Sequence, residues 1–419
     1  MTEPSRDDFD AIFAGGGLVG LAAALAAARV GLNVLVIDAA PAETQLAASF
    51  DGRASAIAYA NFRMLSRLGV AERIGAHAQR IEQILVSDGR AGDDLRAGGP
   101  GPRLLHFDAR ELDDAENGEP LGYMVENRRM RAALIAAAAE APRLTHLAPA
   151  RVTEVRLERQ RAVVRLEDGT EHAAPLVVGA EGRFSAVRDA MGARIVGWPY
   201  RQHGIVATVA CEKPHEGVAH EYFLPSGPFA ILPLTDNRAS LVWTERPDAA
   251  AAAMKLDDEA FADEIRRRFG AFLGEVNVEG PRFSYPLGVA VSDKFVAPRA
   301  ALVGDAARRI HPIAGQGFNL GLKDAAALAD VLKEALTAGL DLGGLDVLRR
   351  YQEWRRFDSV VLALATDGFN RLYSNDMPLV RFARGLGMAA VDKIGLARRL
   401  FTRNAGADMG ELPSLLRPL

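Results

Sequence analysis

Nothing constrains the fold of this chain more than its first apolar strand and the glycines that end it. The segment Asp10-Ala11-Ile12-Phe13-Ala14-Gly15-Gly16-Gly17-Leu18-Val19-Gly20 is a short apolar strand followed by Gly-x-Gly-x-x-Gly. It opens an Ala/Leu-rich helix over Leu18–Val30, closed by Gly31. Asn33–Ile37 is a second apolar strand and ends at Asp38. Strand, glycine turn, helix and strand in that order make a βαβ unit. Each glycine has its own steric task there. Gly15 permits the tight turn, Gly17 lets a pyrophosphate reach the backbone, and Gly20 lets helix and strand pack closely. Free N–H groups and the dipole at the helix N-terminus favour phosphate. Asp38 stands where a carboxylate accepts hydrogen bonds from an adenosine ribose.

A second segment lies far along the chain. It reads Ala301-Leu302-Val303-Gly304-Asp305-Ala306-Ala307, then His311-Pro312-Ile313-Ala314-Gly315-Gln316-Gly317-Phe318-Asn319. Gly304-Asp305 follows an apolar strand, and a carboxylate at a strand end can bond a second polyol, the ribityl chain of a flavin. The small residues of the Pro312, Gly315 and Gly317 stretch let backbone lie against an isoalloxazine ring. The N–H groups that open the next helix, Leu320–Leu336, can stabilise negative charge at the flavin N1–C2=O edge. The two segments together narrow the dinucleotide to FAD and the chemistry to flavin-based oxidation.

Between and after them the chain alternates in character. Gln83–Ser87 and Arg103–Phe107 read as strands around the Gly-rich loop Gly89–Gly101, and Asn127–Glu140 as a strong helix. Arg151–Leu157 and Ala162–Leu166 form a hairpin pattern, and Ala174–Gly179 is a buried-strand run. From about Ile195 to Glu245, strand patterns alternate with Pro/Gly turns, and the helix Asp257–Phe272 follows. From Gly321 to about Phe401 the pattern is mostly helical, with a break at Gly339–Gly344. The expected class is α/β: a Rossmann-like FAD-binding domain with an inserted, mainly antiparallel β-sheet substrate domain and a C-terminal helical region. The expected boundaries are 1–78, 109–192 and 281–340 for the FAD-binding domain, 79–108 and 193–280 for the substrate domain, and 341–419 for the helical region.

Composition excludes several classes. With 419 residues, 49% hydrophobic and 25% charged, the chain is an ordinary globular protein. A net charge of −4 gives no basic field for nucleic acid. The single cysteine, Cys211, excludes an intrachain disulfide framework. The histidines show no metal-ligand spacing, so no metal is assigned. The polar, acidic N-terminus has no signal- or transit-peptide character, and no run of about 18 apolar residues offers a membrane span. A cytoplasmic location is expected, with any membrane contact peripheral and on the inner face. The oligomeric state is not legible.

These motifs resemble those of the FAD-dependent aromatic hydroxylases of the para-hydroxybenzoate hydroxylase type, and within them the ubiquinone-biosynthesis hydroxylases. The resemblance spans most of the chain. Besides the two segments above, it rests on Asp51-Gly52-Arg53-Ala54-Ser55-Ala56-Ile57, similar to the family's flavin-contacting loop. It rests also on Gly179-Ala180-Glu181-Gly182-Arg183-x-Ser185-x-x-Arg188, similar to a motif near the pyrophosphate and the nicotinamide nucleotide. Gly321-Leu322-Lys323-Asp324, Tyr351-x-x-x-Arg355-Arg356-x-Asp358 and Leu372-Tyr373-Ser374-Asn375-Asp376 continue it. The chain departs from the pattern twice: Glu181 stands where the family carries Asp, and Arg308 where it carries His.

The resemblance implies roles residue by residue. Gly15, Gly17, Gly20, Asp38, Arg53, Glu181, Gly304, Asp305, Gly315, Gly317, Phe318 and Asn319 are the cofactor-binding candidates. Asn127 or Arg128 reaches the pyrophosphate, although a helix N-cap is an equally open reading of Asn127. His311, Pro312 and Gln316 are candidates for groups at the reacting atoms, with a purely structural loop histidine open for His311. NADPH or NADH, bound transiently, reduces the FAD. O₂ then gives a flavin hydroperoxide that attacks an electron-rich phenol ring. Phe223, Phe229, Leu232 and Pro233 are candidates for the wall of the ring pocket, with sheet core the alternative for each.

If the subfamily likeness holds, the substrate is a polyprenylated phenol of ubiquinone biosynthesis. Leu379–Phe401 is then either an interfacial helix or a packed terminal one. A hydroxylase of a small soluble aromatic acid, and a non-catalytic flavin-bearing component of a quinone-synthesis complex, stay open as alternatives.

Overall fold

The computed structural model describes residues 9–47, 52–88, 103–111, 118–311, 315–373 and 411–418. Asp51, Pro312 and the stretch Leu379–Phe401 lie outside the described residues.

The fingerprint strand β1 (Ala11–Ala14) lies inside a six-stranded sheet. The others are β2 (Val34–Ile37), β8 (Leu144–Leu147), β12 (Leu176–Gly179), β18 (Val296–Ala297) and β19 (Ala300–Leu302), in the order β18-β19-β12-β1-β2-β8. All neighbours are parallel except β18 and β19. β1, β2 and β12 are buried at every residue, so they read as unbroken apolar runs, as parallel strands covered on both faces must. Helix α1 (Leu18–Arg29) is buried continuously from Gly20 to Ala28. Its alanines let it pack between α5 (Asn127–Glu140) and α9 (Gln316–Thr337). The meander β9 (Val152–Leu157), β10 (Ala162–Leu166) and β11 (Glu171–Ala174) includes the expected hairpin and adds a third strand.

The substrate sheet has eight strands in the order β20-β17-β13-β16-β15-β14-β5-β6. These are β20 (Arg308–Arg309), β17 (Val276–Ser292), β13 (Ile195–Cys211), β16 (Arg238–Glu245), β15 (Gly227–Leu234), β14 (Val218–Leu224), β5 (Gln83–Asp88) and β6 (Arg103–Asp108). Only β14 and β5 pair in parallel. The early excursion and the later insertion thus form one sheet. The expected boundary after residue 280 falls inside β17, so the sheet runs on to Ser292. Gly280, at φ +72, Pro281 and Pro286 break the alternation there, and the pairing with β13 shifts register, which hides the strand in sequence.

One face of this sheet packs on helices α7 (Pro247–Ala253) and α8 (Asp258–Phe269). Ile205, Val209, Tyr222, Phe229 and Trp243 meet Phe261, Ile265 and Phe269 there. The opposite face turns to the FAD-binding domain, where Leu105, Phe107, Ala219 and Leu234 join Ile81 and Met124. A small sheet joins the domains: β3 (Ala54–Ala58), β7 (Gly122–Glu126) and β4 (Gln79–Ile81). The short helices α2 (Ala42–Leu46), α3 (Tyr59–Arg67), α4 (Val70–Ile74) and α6 (Ala186–Ala190) complete the FAD-binding domain. Helix α10 (Leu345–Tyr373) packs along α9.

Candidate active site

The carboxyl ends of three adjacent strands bring the remote motifs together. β1 ends in Gly15–Gly20, β12 in Ala180–Arg188, and β19 in Gly304-Asp305. Ala180 N–H donates to Ala14 O at 2.7 Å, and Val303 N–H to Gly179 O at 3.0 Å. β2 lies on one side of β1 and β12 on the other, so the crevice between them is a topological switch point, where open α/β sheets bind ligands.

The glycines divide by what a side chain would meet. A Cβ on Gly20 would sit 1.9 Å from Gly15 O, and one on Gly15, at φ +100, 2.6 Å from Ala180 O. A Cβ on Gly17 would meet no atom within 4 Å. Gly15 and Gly20 serve packing, while Gly17 fronts open space at an α1 N-terminus that no side chain caps. That is the cradle a pyrophosphate needs. Gly16 has a task its sequence motif does not show: a Cβ there would lie 2.4 Å from the Asp38 carboxylate. Asp38 is fixed by Ala40 N–H (3.1 Å) and Gln45 Nε2 (2.9 Å), and Gln45 Oε1 accepts from Arg131 Nη1 at 3.0 Å.

The flavin end is built around Asn319. Its Oδ1 accepts from Ala58 N–H (2.9 Å) and Asn61 Nδ2 (2.7 Å), and its Nδ2 donates to Ala56 O (2.8 Å) and Gly315 O (3.2 Å). The side chain therefore locks the start of α9 to β3 and spends its hydrogen bonds within the protein. Gly315 caps α9 at φ +62, close against Ala56, while a Cβ on Gly317 would meet nothing within 4 Å. Gln316 is half-buried in the first turn of α9, and Phe318 packs partly buried against the main core.

Asn127 starts α5 without capping it. Its Oδ1 accepts from Ser55 Oγ at 2.7 Å, and its N–H donates to Arg53 O at 2.9 Å. The N-cap reading is thereby corrected: Asn127 ties α5 to the Arg53 strand. Arg128 pairs with Glu126 at 3.1 Å, and Glu126 also accepts from Arg238 of the substrate sheet at 3.4 Å. The Arg53 guanidinium lies 5.2 Å from the centre of the Tyr285 ring. Asp305 is exposed at the turn, and desolvation by the chain around it raises its pKa against the pull of Arg53, Arg309 and Arg308.

Both departures from the family pattern have a structural account. Arg308 is buried and forms a two-pronged pair with Asp324, at 2.6 and 3.0 Å. Asp324 also accepts from Gly304 N–H at 3.0 Å and from Arg355 Nε at 3.0 Å, while Tyr351 Oη donates to Leu302 O at 2.7 Å. α9 and α10 thus clamp the Gly304-Asp305 turn from beneath, and Arg308 belongs to that clamp. The sequence motifs containing Asp324, Tyr351 and Arg355 thus serve this clamp. Glu181 accepts from Ala186 N–H (3.0 Å), Val187 N–H (3.4 Å) and the Ser185 hydroxyl. Its carboxylate is committed to the N-terminus of α6. Burial raises its pKa, and these donors and Arg188 oppose the rise.

His311 is fully buried, its ring centre 5.2 Å from that of Tyr200. Burial pushes its pKa down to about 4 against the pull of Asp367, so it is a neutral packed ring at physiological pH. Of the pocket-wall candidates, Phe223 and Leu232 lie on the sheet face turned to the FAD-binding domain. Phe229 and Pro233 do not: strand alternation puts them on the other face, opposite Trp243 and Ala239, and Phe229 is part of the helix-covered core.

The open cradle at Gly17, the carboxylate of Asp38 at the end of β2, the exposed Asp305 at the end of β19 and the bare backbone at Gly317 fit an extended FAD lying across the crevice. The FAD binding domain family matches residues 8–357. Ubiquinone hydroxylase UbiL of Rhodospirillum rubrum is 44% identical over 97% of this chain and 92% of its own. The 3-demethoxyubiquinol 3-hydroxylase of Escherichia coli is 35% identical over 92% of this chain and 95% of its own. The crystal structure of p-nitrophenol 4-monooxygenase PnpA from Pseudomonas putida superposes with a TM-score of 0.79 at 18% identity, covering 96% of this chain and 99% of that one, and supports the fold. The chain belongs to the FAD-dependent aromatic hydroxylases, in their ubiquinone-biosynthesis branch.

Proposed function

We propose that this enzyme hydroxylates the aromatic ring of a polyprenylated phenol on the route to ubiquinone, with NAD(P)H and O₂ as co-substrates. The observation that carries the reading is the end-to-end likeness to two hydroxylases named for ubiquinone chemistry, at 44% and 35% identity. FAD, when bound, would pass electrons from the nicotinamide to O₂ and activate it, so that one oxygen atom of O₂ enters the ring and the other leaves as water. The protein supplies position and shielding. N–H groups at the start of α1, approached over Gly17, hold the pyrophosphate, and Asp38 holds the ribose. Asp305 holds the ribityl chain, steadied through Asp324. Arg53 and the backbone of Gly315–Gly317 would hold the ring system, and N–H groups at the start of α9 would stabilise negative charge on it. The inward face of the substrate sheet, with Phe223 and Leu232, covers the ring and excludes water.

A prenylated substrate dissolves in lipid, so the enzyme meets it at a membrane surface. No helix among the described residues is long and apolar enough to cross one. The FAD-loaded enzyme should oxidise NAD(P)H faster with a short-chain prenylated phenol and yield a product one oxygen heavier by mass. Loss of the gene should cause the corresponding unhydroxylated quinone precursor to accumulate. Turnover of water-soluble benzoates or phenols, with none of the prenylated compound, would overturn the reading.

A further inference from the structure

A carboxyl group stands in the middle of the apolar wall that faces the FAD-binding domain. One cross-strand row of the substrate sheet runs Phe283, Val206, Val242, Ala230, Glu221, Val86, Leu105, each residue paired with the next. Directly paired residues share a face of the sheet. Both ends of this row touch the FAD-binding side. A Cβ on Gly52, beside Arg53, would strike the Phe283 ring, and Leu105 and Val86 pack in the cluster that includes Ala54 and Ala56. Glu221 therefore faces the space between the substrate sheet and the Arg53 loop. Phe223 lies two positions on and on the same face.

The Glu221 side chain is half-buried and has no hydrogen-bond or ion-pair partner among the described residues. Burial alone pushes its pKa up to about 8, so near neutrality it carries a proton and presents both a donor and an acceptor. Half-buried, the carboxyl still reaches solvent, and a ring that displaces that solvent leaves it without a partner unless the ring supplies one. No structural hydrogen bond accounts for Glu221, and it faces the side of the sheet that the proposed function assigns to the substrate ring.

We propose that Glu221 recognises an oxygen substituent of the substrate ring and so orients that ring beneath the sheet. This rests on the function proposed above, in which the ring is a phenol. The group is a specificity determinant: an apolar wall alone cannot tell a phenol from the same prenylated ring without its hydroxyl, whereas a buried carboxyl left unpaired penalises the hydrocarbon.

The test compares dissociation constants of the FAD-loaded full chain for a short-chain prenylated phenol and for its deoxy hydrocarbon, read from perturbation of the flavin spectrum. The wild-type enzyme should prefer the phenol by about tenfold or more, the size of one buried hydrogen bond to a polar group. Glu221→Leu should collapse that preference to within about twofold while hydrocarbon affinity holds or rises. Glu221→Ala, which cannot overpack the wall, repeats the measurement should the leucine variant fail to load FAD. In turnover, either variant should spend NAD(P)H with a smaller fraction recovered as hydroxylated product. A preference unchanged in a variant that retains FAD would overturn the assignment and leave the phenol reading intact. Failure of the wild-type enzyme to bind either compound would overturn both.

Discussion

At the scale of single residues, the most consequential side chain is Asp324, fully buried between two arginines. It pairs with Arg308 and Arg355 together and holds the Gly304 N–H, while Asp358 supplies the second negative charge by pairing with Arg355 at 2.8 Å. Asp324→Ala leaves the desolvated Arg308 guanidinium without a carboxylate among the described residues and Arg355 with Asp358 alone. The expected cost is about 3–5 kcal/mol in a denaturant titration, the range for breaking a buried pair from one side. Arg308→Met should cost less, because Asp324 retains Arg355 and the Gly304 N–H. Equal costs would show that the clamp is not the unit described. This cluster was only half legible in sequence. The arginine was visible as a departure from a family pattern, but its answering groups lie 16 residues away for Asp324 and, for the second arginine, 31 beyond that carboxylate, and no local spacing rule links them.

His311 makes a separate claim about pH. Its pKa is about 4 in the fold, below the roughly 6.5 of an unfolded chain. The unfolded state therefore binds more protons between those values. The contribution of His311 to stability is fully present above about pH 6.5 and is lost as pH falls through 4. Thermal unfolding of the apoprotein from pH 7 to pH 4 should show a decline on the order of 1–3 kcal/mol that His311→Gln flattens. An acid limb identical in the variant would mean that other groups set it.

At the scale of elements, the glycine turn separates two functions that a motif treats as one. Gly20→Ala puts a methyl group 1.9 Å from Gly15 O and should prise α1 from β1, lowering the apoprotein's stability by about 3 kcal/mol or more. Gly17→Ala meets no protein atom, so the apoprotein should unfold within about 1 kcal/mol of the parent. Its methyl group instead occupies the approach to the helix N-terminus, and FAD affinity measured by flavin fluorescence should fall at least about tenfold. If Gly17→Ala destabilised the apoprotein as much as Gly20→Ala, the division would be wrong.

The βαβ unit was legible because its signals are local: an unbroken apolar strand, glycines at fixed offsets and an alanine-rich helix. The elements that escaped are those whose logic is non-local. β17 is broken to the eye by Gly280, Pro281 and Pro286, yet pairing with β13 sustains it. Phe229 and Pro233 went to the wrong face because strand parity turns on a single residue of register, which the strand's uniformly apolar composition does not display.

At the scale of the whole molecule, the structure couples the two ends of the cofactor site mechanically. Gly304 and Gly321 both pack against Val19 of α1, so the ribityl-side turn and the pyrophosphate-side helix share one contact. Asn319 then joins α9 to β3, and Glu126 joins β7 to Arg238 of the substrate sheet. Val19 links the α1 turn to the Gly304 turn and to Gly321 of α9. Asn319 links the flavin loop to the strand beside the ring pocket. A ligand that fills only the adenosine and pyrophosphate half should tighten the first joint and leave the second to the protein alone. Hydrogen exchange can separate the two. ADP should slow exchange over Gly15–Ala22, with little change at Ala54–Ala58 or Gln316–Leu320. FAD should slow all three, because in the proposed binding mode the ring system would reach the Arg53 strand and the start of α9. FAD at a hundred times its dissociation constant should also raise unfolding stability by about 2.7 kcal/mol. If ADP protected the Arg53 strand as fully as FAD does, the pyrophosphate end alone would order the ring end. The interdomain wall would then be preformed rather than closed by the ring, and the stabilisation by FAD would come from its adenosine half.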